Sequence, residues 1–161
     1  MTLENFLTFF PVVELPVIFS DEVVEVFSKN NKVLSSEAIA DFIDKWEKDD
    51  NDTTEYIPCV QLPPADDYYA LVYWKGALMK YEYFLVTMAK NGALISRKSI
   101  ASTIFDSEGV KRSVASIDED LIIHIVAGAS TDGNEYNPDN SQAFNMEIAP
   151  SGDILFFLGD E

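Results

Sequence analysis

Residues 81–100 read YEYFLVTMAKNGALISRKSI, and this stretch decides the fold. The residues on either side of Asn91 and Gly92 are rich in aromatic and β-branched types, which favour strands. An Asn-Gly pair between two such runs is typical of a two-residue hairpin turn, because both residues tolerate positive φ. The stretch therefore predicts two antiparallel strands at 81–89 and 93–100.

The strand pattern continues from this hairpin in both directions along the chain. Ser151 and Gly152 have the residue types for a second turn of the same kind. The predicted strands are 68–75, 81–89, 93–100, 112–117, 121–127, 143–149 and 154–158. Successive strands with local connections indicate a twisted antiparallel β-meander of about seven strands.

One pair of hairpins is similar in sequence, since residues 84–95 align without gaps to residues 144–155. Phe, Ala and Gly recur at equivalent positions of both segments. This similarity predicts blade-like hairpin repeats. The alternative is that any two amphipathic hairpins with a turn glycine align equally well.

The N-terminal part, residues 1–50, has helical patterns instead. A first helix is predicted from an N-cap at Ser20, and a second begins at Ser35 or Ser36. The second helix places four apolar residues on one face: Ile39, Phe42, Ile43 and Trp46. Before the helices, residues 11–19 indicate an edge strand or ordered arm, since Pro16 removes a backbone donor. After them, residues 49–55 indicate a polar loop.

These elements predict an α+β fold in which two N-terminal helices pack on the β-meander of residues 57–158. A chain of 161 residues that is 47% apolar is expected to form a single domain, residues 1–161, around one sizeable core. Strand 121–127 is apolar on both faces, which predicts that helices, or the sheet curling on itself, cover both sides.

Charge is distributed unevenly in this acidic chain, whose net charge is −17. No lysine or arginine follows Arg112, although ten carboxylates do. Such a field repels nucleic acid and anionic lipid and attracts cationic partners. The acidic residues of the C-terminal strands and turns that we expect to bind a basic protein are Asp118, Glu119, Asp120, Glu147 and Asp153.

His124 is the one histidine, and it lies between apolar residues of a predicted strand. One interpretation is a core imidazole that is hydrogen-bonded to backbone. The other is a general base that faces a strand carboxylate such as Glu82 or Glu147.

Residues 131–140 are rich in oxygen ligands of the kind that hard cations prefer. The predicted calcium ligands are Asp132, Asn134, Glu135, Asn137 and Asp139. The spacing does not match an EF-hand loop, and the same residue types make up ordinary hairpin loops. No other cofactor is predicted, because phosphate-loop, dinucleotide and zinc-protease motifs are absent from the sequence.

Several features predict a cytoplasmic location without membrane contact. No apolar run reaches the length of a bilayer span. Glu4 and Glu14 argue against a signal peptide in the apolar N-terminus. A single cysteine, Cys59, cannot form an internal disulfide, which fits a reducing compartment.

Three functions remain open, and the missing catalytic motifs favour the first. It is an immunity-type inhibitor or binding module that docks a basic protein. The second is a hydrolase or small-ligand-binding protein with a pocket between helices and sheet, whose candidate acids are Glu82, Asp106, Glu108, Glu135 and Glu147. The third is a structural or regulatory adaptor that associates through a strand edge. A group of aromatic residues fits either sheet packing or a platform for a sugar or peptide: Tyr68, Tyr69, Tyr73, Trp74, Tyr81 and Tyr83.

Overall fold

The structure, a computed structural model, describes residues 1–47, 54–130 and 141–157, apart from the side chains of residues 129 and 130. Nine strands in these ranges form one sheet. They are β1 (Val17–Phe19), β2 (Glu55–Gln61), β3 (Tyr68–Ala77), β4 (Lys80–Ala89), β5 (Leu94–Asp106), β6 (Gly109–Ile117), β7 (Ile122–Ser130), β8 (Gln142–Ile148) and β9 (Ile154–Phe156). The helical segments are α1 (Leu3–Leu7), α2 (Val24–Asn30), α3 (Ser36–Ala38), a π-helical turn (Ile39–Ile43) and α4 (Asp44–Trp46). A mostly antiparallel sheet with a few short helices fits the expected α+β class.

The strands from β2 to β9 are neighbours in chain order, and each pairs antiparallel with the next. They form one continuous order and do not separate into blades in the described ranges. The first half of β5 separates from β6, because pairing between them begins only at Ser102 and Ser113. β1 pairs with the part of β6 that β5 leaves unpaired, and Val17 lies opposite Ile117.

The two predicted hairpin turns have the same backbone structure. In each turn a glycine amide bonds to the carbonyl of the alanine three residues earlier, at 2.8 Å for both Gly92 and Gly152. Their φ angles are +93° and +97°, so glycine is required at both positions. The prediction that Asn91 and Ser151 also adopt positive φ is wrong. Each turn is a type I turn followed by one left-handed residue.

The inner face of the sheet encloses an apolar core. Its buried members come from strands in both halves of the sheet, such as Val72, Leu85, Ile117, Ile123 and Ile148. Contacts of β5 with β7 and β9 show that the sheet curls over this core. Curling buries one face of β7, where Ile123 and Ile125 belong to this core.

The outer face of β3 and β4 carries a second core, which the N-terminal residues cover. Phe6 of α1 is fully buried there, and its ring stacks on Phe42 at 4.2 Å between centroids. Ile43 is fully buried, and Trp46 packs against the same cluster. The apolar face predicted for the second helix therefore contacts the sheet.

The helical segments differ in detail from the two predicted helices. Ser35 caps the second segment, since its Oγ accepts from the Ala38 amide at 3.1 Å. That segment changes to π-helical geometry at residues 39–43. The predicted N-cap at Ser20 is wrong, because α2 begins at Val24 without a side-chain cap. The short helix α1 was not predicted.

Strand β2 is not among the predicted strands, which begin at residue 68. Pro58 lies within it beside a β-bulge, and the register against β3 shifts between Pro58 and Val60. A proline is tolerated at a bulge because the missing backbone donor has no ladder partner there. Of the polar loop expected at residues 49–55, Glu55 belongs to β2, and residues 48–53 lie outside the described residues.

The prediction that both faces of residues 121–127 are covered is wrong. Ile123 and Ile125 are buried, whereas the outward residues His124 and Val126 are exposed. This half of the sheet has a core on one side and water on the other. No helix in the described ranges is both long and apolar enough to cross a lipid bilayer.

Candidate functional site

Four connections lie together at one end of the sheet, because alternate connections of a meander share an end. They are residues 62–67, 90–93, 118–121 and 149–153. Two hydrogen bonds join these connections to other strands of the sheet. Thr87 Oγ1 in β4 donates to the Gly152 carbonyl at 2.6 Å, and the Ile148 amide in β8 donates to the Leu121 carbonyl at 3.0 Å. We call these four connections the acidic end.

Six carboxylates lie on the acidic end: Asp66, Asp67, Asp118, Glu119, Asp120 and Asp153. The one lysine there, Lys90, has its Nζ 3.9 Å from the ring centroid of Tyr69. Four of the five residues predicted for binding are therefore in these connections. The fifth, Glu147, lies next to them in β8, half-buried and paired with Ile122 and Leu155.

Asp118 organises the turn between β6 and β7. Its Oδ1 accepts from the amides of Asp120 at 2.8 Å and Ile122 at 3.1 Å, while its Oδ2 lies 2.8 Å from His124 Nε2. The hydrogen bond from His124 lowers the pKa of the Asp118 carboxyl; slight burial opposes this, and the two amides add to it. The carboxylate form is therefore favoured in the folded state.

His124 is not a core imidazole, so that prediction is wrong. Its side chain is 47% exposed. On the outward face of the sheet, His124 lies opposite Ser116 of β6 and Asn145 of β8. Nor does it face Glu82 or Glu147, since its carboxylate partner is Asp118. The imidazole lies in water beside the acidic end.

Five lysines and arginines elsewhere in the described ranges pair with other acids. Lys80 pairs with Glu82, Lys111 with Asp106, and Arg112 with Asp21, at 3.2 to 3.7 Å. Lys75 and Arg97 pair with Glu47. No ion pair between described residues joins a lysine or arginine to a carboxylate of the acidic end. Among the described residues, no lysine or arginine thus cancels the negative charge there by direct contact.

A buried polar network lies at the outer core, and sequence analysis did not predict it. Glu47 follows α4, and its side chain is 2% exposed. Lys75 Nζ lies 2.6 Å from Glu47 Oε1, and Tyr73 donates its hydroxyl proton to Glu47 Oε2 at 2.5 Å. Arg97 donates to the same Oε2 and, through Nε, to the Tyr73 oxygen at 2.9 Å. Its guanidinium carbon also lies 3.9 Å from the ring centroid of Phe84.

The network keeps Glu47 ionised. Burial raises the pKa of the Glu47 carboxyl. Hydrogen bonds from Lys75 and Tyr73 and the charge of Arg97 lower the pKa by a larger amount, so the net shift is downward. Burial, reinforced by the neighbouring Glu47, raises the pKa of the Tyr73 hydroxyl. Glu47 is thus held as the carboxylate and Tyr73 as the neutral phenol near neutrality, which suits a structural anchor better than proton transfer.

The described candidate acids for hydrolysis do not all lie at the same end of the sheet. Glu82 and Asp106 lie toward the opposite end of the sheet from Glu147. Glu108 follows Asp106 in the turn between β5 and β6, where its amide donates to Asp106 Oδ1 at 2.8 Å. Glu135 lies outside the described residues.

The predicted calcium ligands also lie outside the described residues, since residues 131–140 do. Within the described ranges no group of three His, Cys, Asp or Glu side chains could hold a metal ion. Cys59 is a free, buried thiol whose pKa is raised by burial. It therefore lacks the thiolate character of a nucleophile.

Comparison with known proteins gives no relative. No family model, no curated protein and no solved structure matches this chain.

Proposed function

We propose that this protein is an acidic binding module that docks a basic protein, as an immunity-type inhibitor does. The observation that carries the proposal is the acidic end, which contains six carboxylates and only one lysine. Complementary charge across an interface accelerates association and selects partners. The same field opposes binding to nucleic acid.

Local geometry supports a rigid acidic surface. Asp118 and Asp153 each form hydrogen bonds within their own turns, at 2.8 Å to the Asp120 amide and to Ser151 Oγ. Glu119 and Asp120, which follow Asp118 in the same connection, are exposed. A fixed array of carboxylates loses little entropy on meeting a cationic surface. The proposed setting is the cytoplasm, which the free thiol of Cys59 favours.

Affinity capture from the native cell tests this proposal with two charge-matched variants. One neutralises the acidic end through Asp66→Asn, Asp67→Asn, Glu119→Gln, Asp120→Asn and Asp153→Asn. The control neutralises five exposed acids elsewhere, through Glu4→Gln, Glu14→Gln, Glu22→Gln, Glu25→Gln and Glu55→Gln. Both have the same net charge, so only the position of the charge differs.

We expect the wild type and the control to retain the same basic protein at low ionic strength and the acidic-end variant to lose it. Binding should weaken as salt rises from about 0.05 to 0.5 M, because screening shortens the reach of exposed charges. Retention of the same proteins by all three, or binding that ignores salt, would count against the proposal.

A second candidate is an adaptor that self-associates through a strand edge. In the described ranges β9 pairs with β8 alone, and Leu155 and Phe156 are 48% and 60% exposed. An edge strand with exposed apolar residues is a template for pairing. Light scattering tests it: a mass that rises with concentration and returns to that of one chain in Phe156→Lys supports the adaptor, and a constant single-chain mass removes it.

A further inference from the structure

A cavity of about 180 Å³ opens between the inner face of β3 to β5 and the segment that leads into α2. It lies toward the end of the sheet opposite the acidic end. Aromatic rings line it: those of Trp74, Tyr81, Tyr83 and Phe105. Its volume is below the roughly 300–1,000 Å³ of sites that enclose drug-sized ligands, so it fits one small head group.

Three of these rings form a continuous wall. Trp74 and Tyr81 stack with centroids 5.6 Å apart and planes at 24°, and Phe105 meets Tyr81 edge-on at 6.0 Å. Gly76 makes the wall possible. A Cβ on Gly76 would lie 2.4 Å from the Trp74 ring, so the ring occupies space that any other residue would fill.

The cavity has a buried floor and an open mouth. Tyr83 and Thr103 are 2% and 5% exposed, and the Tyr83 hydroxyl is fixed by donating to the Ser20 carbonyl at 2.6 Å. Tyr81 is 37% exposed. A ligand can therefore enter past Tyr81 and meet a preformed surface.

Among the described residues that line this cavity, Asp21 is the one that carries a charge, and its carboxylate is held by Arg112 Nε at 3.2 Å. Arg112 does not line the cavity. Their side chains are 43% and 41% exposed, and an exposed pair of this kind is weak. The carboxylate is therefore positioned at the cavity and is still able to attract another cation.

We propose that this cavity binds a small organic cation, an alkylammonium head group. Aromatic faces attract cations through their quadrupole, with Trp the strongest, and a carboxylate at the mouth adds charge attraction. The net charge of −17 raises the local concentration of cations around the whole molecule. This site is separate from the acidic end, so the proposal does not depend on the proposed function.

NMR of the two tryptophan indole N–H signals provides the test, because only Trp74 lines the cavity while Trp46 packs in the outer core. Choline is the probe, and 3,3-dimethyl-1-butanol is its neutral counterpart of the same shape. Methyl α-glucoside tests the alternative of a sugar platform. We expect choline to shift the Trp74 signal and leave Trp46 unchanged, with little effect from the two neutral compounds.

Two variants sharpen the result. Asp21→Asn should weaken choline binding roughly two- to five-fold, the range for an exposed charge pair. Tyr81→Leu should weaken it by a similar factor through the lost cation–π contact. Asp120→Asn at the acidic end is the control and should not change the affinity. Melting temperatures verify that each variant is folded.

The proposal is overturned if choline leaves the Trp74 signal in place. It is also overturned if 3,3-dimethyl-1-butanol or the glucoside shifts that signal at concentrations where choline does, since the cavity would then recognise shape or hydroxyl groups and not charge.

Discussion

Strands β4 and β7 are both apolar on two faces, yet their outward faces have opposite surroundings. On β4 the outward residues Phe84 and Val86 are 7% and 0% exposed. On β7 the outward Val126 is 48% exposed. The alternation of side chains determines which residues share a face, but it does not determine whether that face is covered.

Coverage comes from residues far away in the sequence. The outward face of β3 and β4 is covered by α1 and residues 36–47, which bring both apolar side chains and the carboxylate of Glu47. The outward face of β7 stays exposed at His124, which lies between Ser116 and Asn145, and at Val126, which lies between Val114 and Ala143. Four experiments test this difference, from the largest expected effect to the smallest.

Phe6→Ala should lower the free energy of unfolding by about 4 kcal/mol. The ring is fully buried and contacts Phe10, Phe42 and Trp46, so its removal leaves a cavity in the covered face. Urea denaturation followed by circular dichroism measures the change. A loss below about 1 kcal/mol would mean that the helical segments contribute little to stability.

Glu47→Ala should cost roughly 3 kcal/mol, because it leaves Lys75 and Arg97 without the carboxylate that neutralises them in a buried setting. The same urea experiment applies, with Glu37→Ala as a control at an exposed helical carboxylate. Equal effects of the two substitutions would contradict a special role for the buried network.

The stability difference between wild type and Glu47→Gln should depend on pH. The pKa of Glu47 is lower in the folded protein than its ordinary value of 4.5, so the unfolded chain binds more protons under acid. The advantage of the wild type is therefore complete above pH 4.5 and shrinks as pH falls toward the folded pKa. Denaturation midpoints measured from pH 7 to pH 3 give the trend, and a constant gap would show that the interaction is not one of charge.

Val126→Ala should change the free energy of unfolding by less than about 0.5 kcal/mol, since the side chain already lies in water. Val86→Ala is the matched substitution on the covered face and should cost several times more. If the two valines prove equally costly, the outward face of β7 is covered in solution, for example by a second copy of the chain.

Local sequence signals were enough for the hairpins and for the cap at Ser35. Both turns contain a glycine at the one position that needs positive φ, which is visible in the sequence. Strand β2 was missed because Pro58 indicates a break in the sequence, and only the bulge beside it explains how the strand continues. The single-domain organisation stays a prediction.

Long-range features had no local signal. The partners Tyr73, Lys75 and Arg97 lie 26, 28 and 50 positions from Glu47, so no motif joins them. The one hint is the presence of charged residues within the apolar strands β3 and β5. Similarly, three separate acidic turns become one surface only because alternate connections share an end of the sheet.

The pairing of β1 with β6 constrains the order in which the chain can fold as it is synthesised. Val17 and its partner Ile117 are 100 positions apart, so this edge forms only after β6 has left the ribosome. Closing so long a segment is entropically costly, and contacts of this kind slow folding. Until then Phe19 can meet only part of its inner core, such as the ring of Tyr83, and the apolar arm that carries β1 lacks the strand that later fixes its edge.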